Sequence, residues 1–209
     1  METRFYHLND MVRADCHDCR GCSACCREMG DSILLDPYDA YQFQKKGMPV
    51  QTLIDSGAVA LTVWRGMILP HLKMSEETGA CPFLSAEGRC GIHTFRPGIC
   101  RLFPLGRNFA DGKLNYFLLE NACENHSRSK IRVSRWLGIE PADDYHEFVI
   151  KWHDFRREMV DILSGAAEDQ AKQLNLYLLH IFFLNPYELE SDFYTQFAGR
   201  IDRITDAFR

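Results

Sequence analysis

The chain has 209 residues, 46% hydrophobic and 25% charged, which suits one sizeable soluble domain or two small ones. A formal net charge of -5 and an isoelectric point near 5.9 argue against a nucleic-acid-binding surface. The opening residues Met1 to Asp10 hold neither an apolar core nor a small-residue cleavage site, and the longest apolar run, Leu174 to Leu184, is too short to span a bilayer. No signal peptide and no membrane span are expected, and the setting expected is a reducing cytoplasm.

Five of the nine cysteines crowd into the run Cys16-His17-Asp18-Cys19-Arg20-Gly21-Cys22-Ser23-Ala24-Cys25-Cys26. Two thiolates separated by two residues can wrap their backbone round a cation, with each sulfur about 2.3 Å from it. On a helix, steps of three residues would swing each side chain back by about 60°, so the cysteines would fan out instead of converging. A looped backbone is expected, and Gly21 and Ser23 tolerate the turns it needs. The neighbours Cys25 and Cys26 diverge and seldom chelate one small ion together, so the doublet suggests two metal centres or one polynuclear cluster. An odd number of cysteines at periodic spacing, with nothing to suggest secretion, argues against a disulfide framework.

Asp36-Pro37-Tyr38-Asp39 then marks a helix start, with Asp36 as cap and Pro37 in the first turn; Lys45-Lys46 suit its end, and Gly47 stops it. A short helix is expected over Val50 to Asp55. Val59 to Trp64 and Met67 to Leu72 read as a hairpin turned at Arg65-Gly66. Cys81 to His93 reads as a tight turn with a cysteine on each side. Pro97 opens a helical turn that presents Cys100, and Asn108 to Leu118 forms a second hairpin about Asp111-Gly112, running on towards Cys123.

Past Cys123 the cysteines stop. Tyr145, Phe148, Val149, Trp152, Phe155, Met159, Ile162 and Leu163 recur at helical steps and predict the longest helix, ending at Ser164-Gly165. Leu174 to Leu184 predicts a second helix, stopped by Asn185-Pro186, and Phe193, Phe197, Ile201, Ile204 and Phe208 line a third. Three helices with short connections are expected to pack as an antiparallel bundle. The fold expected is α+β: residues 1–128 form an irregular metal-binding region with short hairpins, and residues 129–209 a helical bundle that caps it.

Without Cys16, eight thiols remain, Cys19, Cys22, Cys25, Cys26, Cys81, Cys90, Cys100 and Cys123, enough for two four-sulfur sites. Such sites carry excess negative charge, and Arg27, Arg89, Arg96, Arg101 and Arg107 all stand close in sequence as balancing cations. His93 has Cys-x-x-His spacing from Cys90, but with so many thiols a hydrogen-bonding role is favoured over ligation; His17 and His71 are weaker candidates. Cys-x-x-Cys-x-x-Cys with a remote Cys-Pro, here Cys81-Pro82, is a ferredoxin-like pattern, so iron, alone or within an iron-sulfur cluster, is ranked slightly above zinc. No phosphate loop, nucleophile elbow or zinc-protease helix is present.

With Cys19-x-x-Cys22-x-x-Cys25-Cys26, Cys81-Pro82-Phe83-Leu84, Cys90-Gly91-Ile92-His93 and Arg96-Pro97-x-x-Cys100-Arg101-x-Phe103-Pro104, the sequence over residues 16 to 125 resembles the CxxCxxCC family of zinc- or iron-chelating domains, also called YkgJ family cysteine cluster proteins. Cys16 lies outside that motif, and the family often has tyrosine where His93 stands. Flagellin lysine-N-methylases are similar over this cysteine domain, so the resemblance also implies a methyl-transfer enzyme as an alternative. A structural or sensing metal protein is favoured over that enzyme and over a metal-handling chelator, because ligands from separate segments couple metal binding to folding.

Overall fold

The computed structural model describes residues 3–16, 22–120, 122–123 and 127–207. In chain order the elements are β1 (Phe5–Tyr6), β2 (Met11–Asp15), α1 (Pro37–Lys45), α2 (Val50–Asp55), β3 (Val59–Trp64), β4 (Met67–Leu72), α3 (Gly98–Leu102), β5 (Leu105–Ala110) and β6 (Lys113–Leu118). Then come β7 (Ser129–Arg132), α4 (Val133–Leu137), α5 (Ala142–Gly165), α6 (Glu168–Leu179) and α7 (Phe193–Ala207). The mixture of helices with small antiparallel sheets and a helical carboxyl end is the α+β class expected. No described helix is long and apolar enough to cross a membrane.

The chain divides into two compact units, Met1–Gly30 with Met74–Ile150, and Asp31–Lys73 with Lys151–Arg209. The border expected after residue 128 follows cysteine content. In the fold, residues 129–150 go with the cysteine-bearing unit and residues 31–73 with the carboxyl-terminal helices.

The reason in the first unit is strand pairing across a long stretch of sequence. β2 pairs antiparallel with β7, Met11 opposite Arg132, with a register irregularity between Val12 and Asp15. The amides of Val133 and Ser134 extend this seam, donating to the carbonyls of Asp10 at 3.0 Å and Leu8 at 2.9 Å. A second antiparallel sheet has the order β1-β6-β5. Its β5–β6 turn places Asp111 and Gly112 both at left-handed φ, 52° and 70°, the conformation that an Asp-Gly pair adopts most readily. Val12, Ala14, Leu105, Leu114, Tyr116, Val133, Leu137, Tyr145 and Phe148 form the apolar interior.

In the second unit Arg65 and Gly66 turn β3 into β4 as expected, and Ile33 to Leu35 runs along the other edge of β4, where Leu35 N–H donates to Pro70 O at 2.9 Å. Asp36 closes a reciprocal cap on α1: its carboxylate accepts from Asp39 N–H at 2.9 Å, and its own N–H donates to the Asp39 carboxylate at 3.0 Å. Helices α6 and α7 and the later half of α5 share their core with α1 and the hairpin, so they do not pack only on one another. Trp152, Phe155, Phe182, Phe183 and Phe197 meet ring to ring, and Tyr41, Tyr187 and Phe193 continue the cluster. Each such burial is worth roughly 1.5–3 kcal/mol. Asn175 pins α6 to the hairpin, accepting from Ile68 N–H at 2.7 Å and donating to Gly66 O at 2.9 Å.

The second helix differs from its expectation. It begins at Glu168, six residues before Leu174, and its last turn, His180–Leu184, is π-helical. The early residues are largely exposed and so add nothing to the apolar stripe, while Glu168 and Asp169 suit the positive end of the helix dipole. The widened turn is held by Arg200, which donates to Ile181 O, to Asn185 O at 2.9 Å and to Pro186 O at 2.7 Å. Phe208, expected on the stripe of α7, lies outside the described residues.

Candidate metal centre

Eight of the nine cysteines are described; all are thiols and all belong to the first unit. Cys19 and His17 lie outside the described residues. The doublet occupies a single 3-10 turn, Ala24–Cys26, in which Cys26 N–H donates to Ser23 O at 2.9 Å. Three residues per turn throw neighbouring side chains about 120° apart, yet the Cys25 and Cys26 thiols share a hydrogen bond.

Beyond the doublet the chain extends and is stitched to the segment before Cys81. Cys81 N–H donates to Cys26 O at 2.8 Å, Glu28 N–H donates to Gly79 O at 2.7 Å, and Arg27 and Ala80 form the bridge between them. Gly79 has a φ of +63°, and a Cβ there would press on Glu28 Cγ at 3.1 Å, so the seam needs glycine at this point. Cys81 then opens the expected tight turn. Leu84 bridges Cys90, Ser85 N–H donates to Arg89 O at 2.8 Å, and Gly91 N–H donates to Phe83 O at 2.8 Å. The doublet and the Cys81–Cys90 turn are thereby laced together by main-chain hydrogen bonds.

After Cys90, His93 begins a 3-10 turn, His93–Phe95, and Pro97 leads into α3, which carries Cys100 half-buried. Arg101 on α3 reaches back with its Nε to Arg96 O at 3.0 Å and with Nη2 to Thr94 O. The Arg96 guanidinium meets His93 Nε2 through Nη1 at 2.6 Å, while its Nε is buried with no hydrogen-bond partner among the described residues. Cys22 is half-buried ahead of the doublet, and Cys123 is buried beyond β6. Arg107 points elsewhere, donating to Tyr145 Oη at 3.1 Å. His71 belongs to the second unit, its Nδ1 3.0 Å from Leu72 O.

The electrostatics show how tightly the thiols crowd. Cys25 holds its proton far above the ordinary thiol range, first because of the hydrogen bond with Cys26, then through burial and the charges of Cys26 and Cys16, with Arg96 pulling the other way. Burial is also the main reason that the Cys81 thiol is pushed up; the Phe83 amide opposes it, and Cys90 and Cys25 add to it. Thiols that hydrogen bonding, burial and, to a lesser degree, mutual repulsion keep protonated need a cation to become ligands. A soft, thiophilic donor set fits zinc or iron and does not suit magnesium or calcium. Among the described residues, no three Cys, His, Asp or Glu side chains are drawn into a closed metal-holding group.

Cys16, set aside in sequence as the ninth thiol, is 5% exposed, and its charge acts on Cys25. The signal was present: Val12, Ala14 and Cys16 are all buried at steps of two, the inward side of β2 continued by one residue.

The model of the CxxCxxCC family, described as a "putative zinc- or iron-chelating domain", matches residues 18–124, a little over half of the chain. No curated protein and no solved structure matches.

Proposed function

From the premise that this chain belongs to the CxxCxxCC family, a zinc- or iron-chelating domain, we propose that its first unit binds iron, as a polynuclear or iron-sulfur centre, or else zinc, for a structural or sensing purpose. The proposed ligands are the thiolates of Cys19, Cys22, Cys25, Cys26, Cys81, Cys90, Cys100 and Cys123. The observation that carries this reading is the lacing of the Cys25–Cys26 doublet onto the Cys81–Cys90 turn, with Cys81 N–H donating to Cys26 O at 2.8 Å. Side chains from sequence positions more than fifty residues apart are thereby held in one neighbourhood by main-chain bonds alone. Bound iron supplies electron-transfer chemistry, whereas bound zinc supplies a redox-inert crosslink.

The chain's own contribution is physical. The seam fixes where the thiols stand, partial burial limits their contact with water, and Arg96 offsets part of the negative charge that ionised sulfurs bring. Among the described residues the eight cysteines are all thiols, which suits a reducing compartment and supports a cytoplasmic setting. Anaerobic purification followed by elemental and acid-labile sulfide analysis tests the proposal. A brown, sulfide-containing protein bleached by dithionite is expected; a colourless protein with zinc and no sulfide reverses the order of metals, and a protein retaining neither metal refutes the reading.

A further inference from the structure

The contact between Arg96 and His93 bears on a question the spacing leaves open. Cys90-x-x-His93 could place an imidazole on a metal, but His93 Nε2 faces Arg96 Nη1 at 2.6 Å. A guanidinium only donates, so Nε2 must be the acceptor and the ring's proton must sit on Nδ1. The lone pair a metal would use at Nε2 is already engaged.

The same contact fixes the guanidinium at one end. Its backbone is fixed as well, because the Arg101 fork holds the carbonyls of Thr94 and Arg96, one on each side of Phe95, and Pro97 restricts the residue before it. What remains is Nε, buried with no partner among the described residues. A buried N–H of a charged group left without an acceptor is costly, and Arg96 stands in the segment between Cys90 and Cys100, two of the proposed ligands. Four thiolates about a divalent ion leave a net charge of minus two, which calls for an N–H donor directed at sulfur.

We infer that Arg96 is a positioning residue of the metal centre, its Nε–H donating to a ligand sulfur in the metal-bound protein, with His93 as its anchor and not a metal ligand. The inference rests on the metal-binding reading above. It assigns His93 and Arg96 to one device, since the histidine acts on the centre only through the arginine.

The test uses the full-length chain, purified anaerobically with its metal, as wild type, Arg96→Met, Arg96→Lys, His93→Phe and the double variant His93→Phe/Arg96→Met. Metal content and the rate of metal release to excess EDTA are measured on each, with thermal melting of the metal-free, reduced forms alongside. Arg96→Met should release its metal about tenfold faster, the size of effect seen when an outer partner of a ligand is removed. Arg96→Lys, which keeps the charge but lacks Nε, should fall between it and wild type, so the test stands even if the methionine variant folds poorly. His93→Phe should keep the full metal content and release it faster, and the double variant should be no worse than Arg96→Met alone. Melting of the metal-free forms should move far less than release. A lowered metal content in His93→Phe, additive effects in the double variant, or wild-type release from Arg96→Met would each overturn the inference. A wild-type protein that takes up neither zinc nor iron would instead sink the metal-binding reading itself.

Discussion

Phe117 lays its ring over Gly106, its partner across the β5–β6 pair, filling the space that a Cβ on residue 106 would occupy. The ring is braced from outside by Phe5 of β1, edge to face at 6.5 Å. Replacing Gly106 by valine would force the ring away from both neighbours, and overpacking of this kind costs about 1–3 kcal/mol. Urea denaturation should show that loss for Gly106→Val, with partial recovery when Phe117→Leu is added. An unchanged unfolding midpoint in the single variant would show that the ring moves aside at no cost.

Tyr116 and His146 set a pH window for stability. Their side chains are hydrogen-bonded, Oη to Nδ1 at 3.1 Å. Burial, followed by the pull of Arg107, holds His146 below its ordinary value of 6.5, against the raising charges of Asp143 and Glu147. Burial pushes Tyr116 up to about 12. As the pH falls through 6.5 the unfolded histidine gains a proton that the folded one refuses, so this contribution is present above 6.5 and lost below it. As the pH rises through 10 the unfolded tyrosine ionises while the folded one does not, and its contribution is lost between 10 and about 12. His146→Gln should flatten part of the acid-side decline in the urea midpoint and Tyr116→Phe part of the alkaline one. His153, also lowered chiefly by burial, should supply a remainder on the acid side.

Arg200 satisfies three carbonyls at the end of the π-helical turn and lies over the Tyr187 ring at 3.6 Å. Arg200→Met should cost about 2–4 kcal/mol, because buried acceptors lose a charged donor that a thioether cannot replace. Lysine restores the charge but not the fork, so Arg200→Lys should recover only part of the loss, as read by the same denaturation curves.

Cys81→Ser and Cys26→Ser should lower bound metal and the melting temperature together, since metal-binding energy is folding energy. If about 5 kcal/mol is lost, a chain of this size should melt about 10–20 °C lower. Cys16→Ser, outside the family match, should keep the metal stoichiometry. Full metal content in Cys81→Ser would remove that cysteine from the ligand set.

A fragment of residues 1–128 lacks β7, so β2 loses its partner and the carbonyls of Leu8 and Asp10 lose the amides of Ser134 and Val133. It also retains residues 31–73 without α6 and α7. Expression should give insoluble protein. A soluble, monomeric fragment that holds metal as firmly as the whole chain would show that the β2–β7 seam is dispensable.

Elements whose cause is local were legible in the sequence. Asp36-Pro37 marks its cap, Arg65-Gly66 and Asp111-Gly112 mark their turns, and the stripe from Tyr145 to Leu163 marks α5. β2 and β7 were missed because runs of five and four residues carry little pattern, and the energy that makes them strands lies in a partner more than a hundred residues away. The cysteine spacing announced a thiol-rich site. The engagement of His93 by Arg96 could not be read from it, because it depends on how the 3-10 turn after Cys90 folds back under the grip of Arg101.

The pairing of β2 with β7 also orders events during synthesis. The thiol run leaves the ribosome first, but the strand beside it cannot dock until Arg132 has followed, on the order of ten seconds later at roughly 5–20 residues per second. Through that interval the nascent thiols stand open to oxidants and to stray ions, so the thiol region cannot close before β7 has emerged. Ribosome-stalled chains ending before residue 129 should therefore react fully with a thiol-alkylating reagent, and protection of their cysteines would show that the centre closes early.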